Sequence, residues 1–208
     1  MLAISQNSPC HRRSIRRWRA DDAEPQAHCI ACRDRPTGAA TAVLAEEARP
    51  TYPIPAVGVG LSTGDSWSYG GQQFRLYGVQ ACLRGTFFTN GAGRKTDCGE
   101  ASLAYLAALL KDTRPTCYGV GELTTPDQLG RTTTIVVCAV KVGSSTLDLG
   151  TILITQGFAF AAYKADGMPA YVPYAVAERQ AADRKAGLWA YGDVPHPVQV
   201  LLKAVRHQ

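Results

Sequence analysis

No stretch of this 208-residue chain reaches the roughly 18–20 consecutive apolar residues that a membrane-spanning helix needs. A span by such a helix is excluded, and a soluble protein without a membrane anchor is expected. Charge is also sparse. Charged residues make up 19% of the chain, and there is no lysine-rich tract. The net charge of +5 permits attraction to phosphates or other polyanions, but it is a weak pointer to nucleic acid. A hydrophobic content of 46% over this length supports one ordinary globular core and not two large ones.

Residues 1–56 lack both the helical and the strand period of apolar residues, and they mix arginines (Arg12, Arg13, Arg16, Arg17, Arg19) with prolines and acids. They are expected to be disordered, or to form a targeting or extension segment. A secretory leader needs a basic start, an apolar run and a small-residue cleavage site, and the extreme N-terminus has none of these in order. Residues Gly38 to Ala45, after Arg33 and Arg35, imitate one faintly. His28, Cys29 and Cys32, with Cys10 and His11, are metal-ligating residue types, but their spacing matches no familiar zinc site.

From Val57 onward the texture changes. Alternation and turn residues predict strands at 57–62, 65–69 and 72–79, with Gly70 and Gly71 as the hairpin turn. Phe74 and Leu76 are placed on the core side of the third strand, and Arg75 and Tyr77 on the other. After a loop at 83–97, Leu103, Leu106, Ala107 and Leu110 recur at helical spacing. Strands follow at 115–121 and 132–141. Asp148 is placed to cap a helix over 149–156, and Pro173 to open a last helix running to Ala186. Residues 193–208 read as a C-terminal tail. The expected class is α+β: a small closed barrel of five strands with three packed helices over residues 57–192.

The seven cysteines split into three before residue 50 and four after it, at positions 82, 98, 117 and 138. An even set of four fits two disulfides and an oxidising compartment, while in a cytoplasmic protein the same residues would be buried thiols. Cys117 and Cys138 fall on the two strands that flank the 121–131 loop. An antiparallel pairing of those strands would bring them within disulfide reach.

Five segments in order, GDSWSYGGQQFRLYGVQA (64–81), CGEASLAYLAALL (98–110), DQLGR (127–131), LDLGTILITQGFAFAAY (147–163) and AVAERQAADRKAGLWA (175–190), resemble the staphylococcal nuclease (thermonuclease) family. They span about two thirds of the chain. The resemblance implies a five-stranded OB-fold barrel with three helices and a phosphodiesterase site. In active members that site holds calcium with two aspartates and a backbone carbonyl. A glutamate activates water, and two arginines grip the phosphate. Carried over, Asp65 takes the place of the first metal aspartate, Arg75 that of the first arginine, and Arg131 that of the second. Tyr163 stands where members place an aromatic residue near the nucleotide base, although a core-bordering tyrosine is an equal reading. Trp67 and Trp189 read as packing residues.

The departures lie in one segment. Active relatives read Asp-(Ala/Thr)-Pro-Glu where this chain reads Gln80-Ala81-Cys82-Leu83, so Gln80 replaces the second metal ligand and Leu83 the general base. A glutamine carbonyl can ligate calcium but adds no charge, and leucine accepts no proton. Loss of a general base alone costs about 10²–10⁴ in rate. Asp97 and Glu100 are the candidate substitute carboxylates, although Glu100 also reads as a favourable charge at a helix start. Structural roles compete as well: Asp65 can shape a turn, and Arg75 and Arg131 can pair with surface carboxylates.

A Cys82–Cys98 bond would brace the segment in place of metal-mediated order, and the cysteine placement resembles that of exported bacterial relatives, which implies a periplasmic or secreted home. Three functions remain open. They are a catalytically weakened monomeric protein that keeps a phosphate- or anion-binding pocket with weakened calcium affinity, an active nuclease acting on nucleic acid with a rearranged metal site, and an accessory protein in exopolysaccharide or envelope assembly.

Overall fold

The computed structural model describes residues 49–123 and 130–206, all within the unit Glu46–Gln208. The N-terminal arginine cluster, Cys10, His11, His28, Cys29, Cys32, the Gly38 to Ala45 run and Asp127 to Leu129 lie outside the described residues.

In chain order the elements are β1 (Thr51–Pro53), β2 (Gly60–Thr63), β3 (Ser66–Tyr69), β4 (Gln72–Leu76), β5 (Val79–Ala81), β6 (Phe87–Thr89), β7 (Lys95–Asp97), α1 (Cys98–Thr113), β8 (Thr116–Glu122), β9 (Thr133–Val142), β10 (Ser145–Asp148), α2 (Leu149–Thr155), β11 (Ala159–Ala161), α3 (Val172–Asp183) and α4 (Pro197–Arg206). The fold is α+β. A curled mixed sheet runs β1-β8-β9-β4-β3-β2, with β10 paired to β9. Two small pairs, β5 with β11 and β6 with β7, complete the strands. Elements are more numerous than the five strands and three helices expected, because short strands split off where the backbone turns.

Local chemistry explains the main hairpin. Gly70 and Gly71 both adopt positive φ (58° and 80°), which lets β3 fold back on β4 through a two-residue turn. Phe74 and Leu76 point inward and are buried, and Trp67, fully buried, stacks on Phe74 at 6.0 Å. β4 then pairs parallel with β9 in the register Gln73↔Thr133 to Leu76↔Val136. A parallel partner needs a long crossover, and here α1 and β8 lie within it. Asp148 caps α2, accepting from the Thr151 N–H at 2.7 Å.

Two disulfides brace the fold. Cys117 and Cys138 sit directly opposite each other on β8 and β9, with Cα atoms 3.9 Å apart. Cys82 is bonded to Cys98 at the first residue of α1, with a Cα separation of 5.5 Å. All four are buried.

Both ends of the expected domain move. Residues 51–54 were assigned to the segment before the domain, yet β1 pairs antiparallel with β8 and Ile54 is 2% exposed in the core. The strand is only three residues long, too short to show a period. The 83–97 loop carries the β6–β7 hairpin, whose Phe88 packs on Tyr191 at 4.8 Å. The 193–208 tail is also tied down. Asp193 accepts from the Thr89 N–H at 3.0 Å and from its hydroxyl at 2.7 Å, and these bonds, the backbone one foremost, hold its carboxyl below the usual carboxylate range. His196 Nε2 lies 2.7 Å from Oε1 of the buried Glu178, just ahead of α4.

Because Ile54 fills core space directly after a strand in which only Tyr52 is partly buried, Ile54→Ala is expected to destabilise the protein by about 2–5 kcal/mol in equilibrium denaturant unfolding. A loss under about 0.5 kcal/mol, the range of an ordinary surface change, would show that the segment before residue 57 does not belong to the core.

Candidate functional site

Strand alternation places the first functional side chain. With Phe74 and Leu76 turned into the core, Arg75 projects from the opposite face of β4, and Gln73, two residues earlier, shares that face. The β2–β3 turn delivers Asp65 beside it. That turn packs tightly on α1: a Cβ on Gly64 would stand 2.5 Å from the Ser102 Cβ and 2.8 Å from its backbone carbon. Only glycine fits there, and the close approach buries Asp65 to 2% exposure.

A buried carboxylate needs partners. The Thr63 hydroxyl donates to Asp65 Oδ1 and lies 2.6 Å from the Ser66 hydroxyl. Oδ2 lies 3.0 Å from Arg75 Nη2 as an ion pair, and among the described residues no aligned hydrogen bond reaches that oxygen. The same Nη2 donates to Gln80 Oε1 at 3.1 Å, while Gln80 Nε2 donates to the Ala81 carbonyl at 3.0 Å. Asp65 and Gln80, the two side chains that the resemblance would place at metal-ligand positions, are therefore joined through one guanidinium.

Arg131 approaches from the start of β9. With the Gln73 amide oxygen facing it, Arg131 donates from Nη1 at 3.1 Å and from Nη2 at 2.9 Å. Arg75 and Arg131 line one pocket of about 290 Å³, with Ser62, Ser66, Gln73 and Thr133. A second pocket, of about 390 Å³, shares Ser66 and Arg75 with it and adds Asp65, Gln80, Leu83 and Arg84. The connected groove thus carries three arginines and one buried carboxylate along its walls. Such a surface can hold an anion through forked N–H donors. Leu83 lines the same groove and offers no proton acceptor.

The other sequence-derived residues lie elsewhere. Tyr163 lines neither pocket; it forms an isolated bridge with Pro169, and burial, then the Glu178 charge, pushes its phenol up. Asp97 is consumed as the cap of α1, accepting from the Glu100 N–H at 3.0 Å and the Gly85 N–H at 2.8 Å. Glu100 faces Arg84 at 3.4 Å on the surface. Trp67 is a packing residue, and Trp189 packs edge-on against Phe160 at 5.3 Å. Among the described residues, no group of three or more His, Cys, Asp or Glu side chains gathers as a metal cluster.

Four participants were not read from the sequence. Thr63 and Gln73 stand two residues from Asp65 and Arg75, so strand alternation could have found them. Leu201 of α4 reaches the second pocket, and its helix was read as a tail. Nothing local to Arg84 marked it.

No known family model matches the chain, and no curated protein matches it.

The ion pair makes Arg75 a structural partner of a buried charge as well as a groove residue. Arg75→Ala is expected to cost about 1–3 kcal/mol of stability, since it strands the Asp65 carboxylate. Adding Asp65→Asn, which keeps an acceptor for Thr63 and removes the charge, should recover part of that loss. A double-mutant cycle by denaturant unfolding measures this; strictly additive losses would show that the two side chains do not interact.

Proposed function

We propose that this protein is a staphylococcal-nuclease-like OB-fold protein whose groove binds a phosphate-bearing anion and has lost most of its phosphodiesterase activity. The observation that carries the reading is the convergence of Arg75 and Arg131 on one pocket whose neighbouring base and ligand positions hold Leu83 and Gln80.

The topology supports the OB-type assignment. Strands β2, β3, β4, β9 and β8 lie side by side in that order, β4 and β9 run parallel, and β1, just upstream of β2 in the chain, pairs back onto β8. With β1 and β2 counted as two parts of one strand, that order in a curled sheet is in keeping with a partly open five-stranded Greek-key barrel. The two disulfides, both buried, support a periplasmic or secreted home, since such bonds persist in oxidising compartments.

The donor set does not fit calcium. Calcium takes about 6–8 oxygen ligands with compensating negative charge. Here the Asp65 end of the groove offers a single carboxylate and the neutral Gln80 amide oxygen beside the Thr63 and Ser66 hydroxyls, and the first two already face the Arg75 guanidinium. The remaining chemistry belongs to the chain's own residues. Arg75 pairs with Asp65 and donates to Gln80 through Nη2, and a guanidinium carries five N–H donors in all, so it can bridge these partners and a bound phosphate oxygen. Gln73 fixes the plane of Arg131 toward the same pocket. Asp97 and Glu100, occupied as a helix cap and a surface ion pair, support no rearranged carboxylate site.

Full-length protein is expected to bind a nucleoside bisphosphate weakly in calorimetry, with binding lost on Arg131→Ala, while cleavage of single-stranded DNA in the presence of calcium runs at least about 10²-fold below that of an active family enzyme. Gln80→Asp with Leu83→Glu should raise cleavage. Robust calcium-dependent cleavage by the unmodified protein, abolished by Asp65→Ala, would falsify the weakened-enzyme reading.

A further inference from the structure

A cleft of about 470 Å³, distinct in its lining from the arginine groove, opens between β8, β9, α2 and α3. Its walls are Tyr77, Tyr171, Tyr174, Val120 and Val137, with Asp148 set among them. The tyrosines are held in place. The rings of Tyr171 and Tyr174 stand at 85° to each other with centroids 4.8 Å apart, and the Tyr77 hydroxyl donates to the Ala170 carbonyl at 3.0 Å. Tyr77 and Tyr171 nevertheless keep 41% and 45% of their surface exposed, so ring area remains open to a ligand.

Asp148 supplies the one formal charge. Its Oδ2 is saturated, accepting from the Tyr174 hydroxyl at 2.6 Å, the Thr151 N–H at 2.7 Å and the Thr151 hydroxyl at 2.9 Å. Its Oδ1 is buried and has no hydrogen-bond partner among the described residues. A buried carboxylate oxygen left unpartnered is costly and marks a place where a donor or a cation is missing. Burial, and then the bond to Asp148, pushes the Tyr174 phenol well up, so it stays neutral and keeps donating.

We propose that this cleft binds a small organic cation of the alkylated-ammonium class. Aromatic faces carry negative quadrupole density, and two perpendicular rings with a carboxylate behind them attract a positive charge that is itself poorly hydrated. The lining disfavours the other ligand classes. It contains no lysine or arginine for an anion. A neutral sugar needs several well-placed hydrogen-bond partners, and the Thr151 hydroxyl is already spent on Asp148. A neutral hydrocarbon would leave Oδ1 as exposed to cost as before. The inference is independent of the groove's function, since the two sites share no lining residue.

The test titrates the full chain with tetramethylammonium chloride, tert-butanol as a neutral body of similar size, and a methyl glucoside, following tyrosine resonances by NMR. Tetramethylammonium is expected to shift ring signals saturably, with the other two at least about tenfold weaker. Tyr171→Ala removes an exposed ring, and Asp148→Asn keeps the helix-cap acceptor while removing the charge; each should weaken tetramethylammonium binding about tenfold. Equal binding of tert-butanol, stronger binding of the glucoside, no saturable binding of the cation, or unchanged affinity in both variants would each overturn the proposal.

Discussion

The parallel pairing of β4 with β9 is the contact on which the rest depends. Its register, Gln73 opposite Thr133 and Arg75 opposite Ile135, sets the distance between the two arginines, because Arg131 leaves the chain just before β9 begins. The same pairing sets Leu76 opposite Val136 and Phe74 opposite Thr134 in the core, so a slip of β4 by one residue would turn Arg75 inward and Phe74 and Leu76 out. Such a slip is resisted from both sides. On one, β3 and the Gly70–Gly71 turn hold β4; on the other, Cys117–Cys138 ties β9 to β8 directly across the ladder. Parallel pairing joins distant segments, and loop closure makes that slow and costly, so covalent and turn constraints at its flanks have clear physical value.

Around this frame the buried charge at the Asp65 end of the groove is balanced within the fold. Asp65 is buried because the β2–β3 turn presses on α1, and a buried carboxylate without a counter-charge would be strongly destabilising. Arg75 supplies that charge and also bonds the amide of Gln80. A carboxylate at position 80 would give the same guanidinium two anionic neighbours and leave net negative charge for a cation; the neutral amide does not. The Cys82–Cys98 bond then fixes the segment that follows, from Cys82 onto the first residue of α1, in a place where no ion is required to order it.

Much of this was legible in the sequence because it rests on short-range rules. The in–out alternation of Phe74, Arg75 and Leu76, the Gly-Gly turn, the Asp148 cap and the opposition of Cys117 to Cys138 each follow from period or turn chemistry. The misses have equally definite causes. β1 is three residues long and carries a proline, so no alternation could show it; its existence is decided by the free edge of β8. The helix α4 does carry a pattern, with Val198, Leu201 and Leu202 at helical spacing after Pro197, but its position beside the groove comes from the His196–Glu178 and Asp193–Thr89 contacts, which join residues far apart in the chain. The ion pair of Asp65 with Arg75 was not read from the sequence, where Asp65 was weighed as shaping a turn and Arg75 as pairing with surface carboxylates, since burial of Asp65 comes from the packing of Gly64 on α1.

On the proposed reading, the Arg75 guanidinium takes up the Asp65 and Gln80 oxygens that a metal ion would need, leaving the groove suited to anions. Thermal unfolding of the full chain tests it directly, because a ligand that binds the native state raises the midpoint by mass action. A nucleoside bisphosphate in the presence of a chelator should raise the midpoint, and calcium alone should leave it unchanged. Stabilisation by calcium alone that disappears in Asp65→Asn, with no effect of the bisphosphate under chelation, would contradict it.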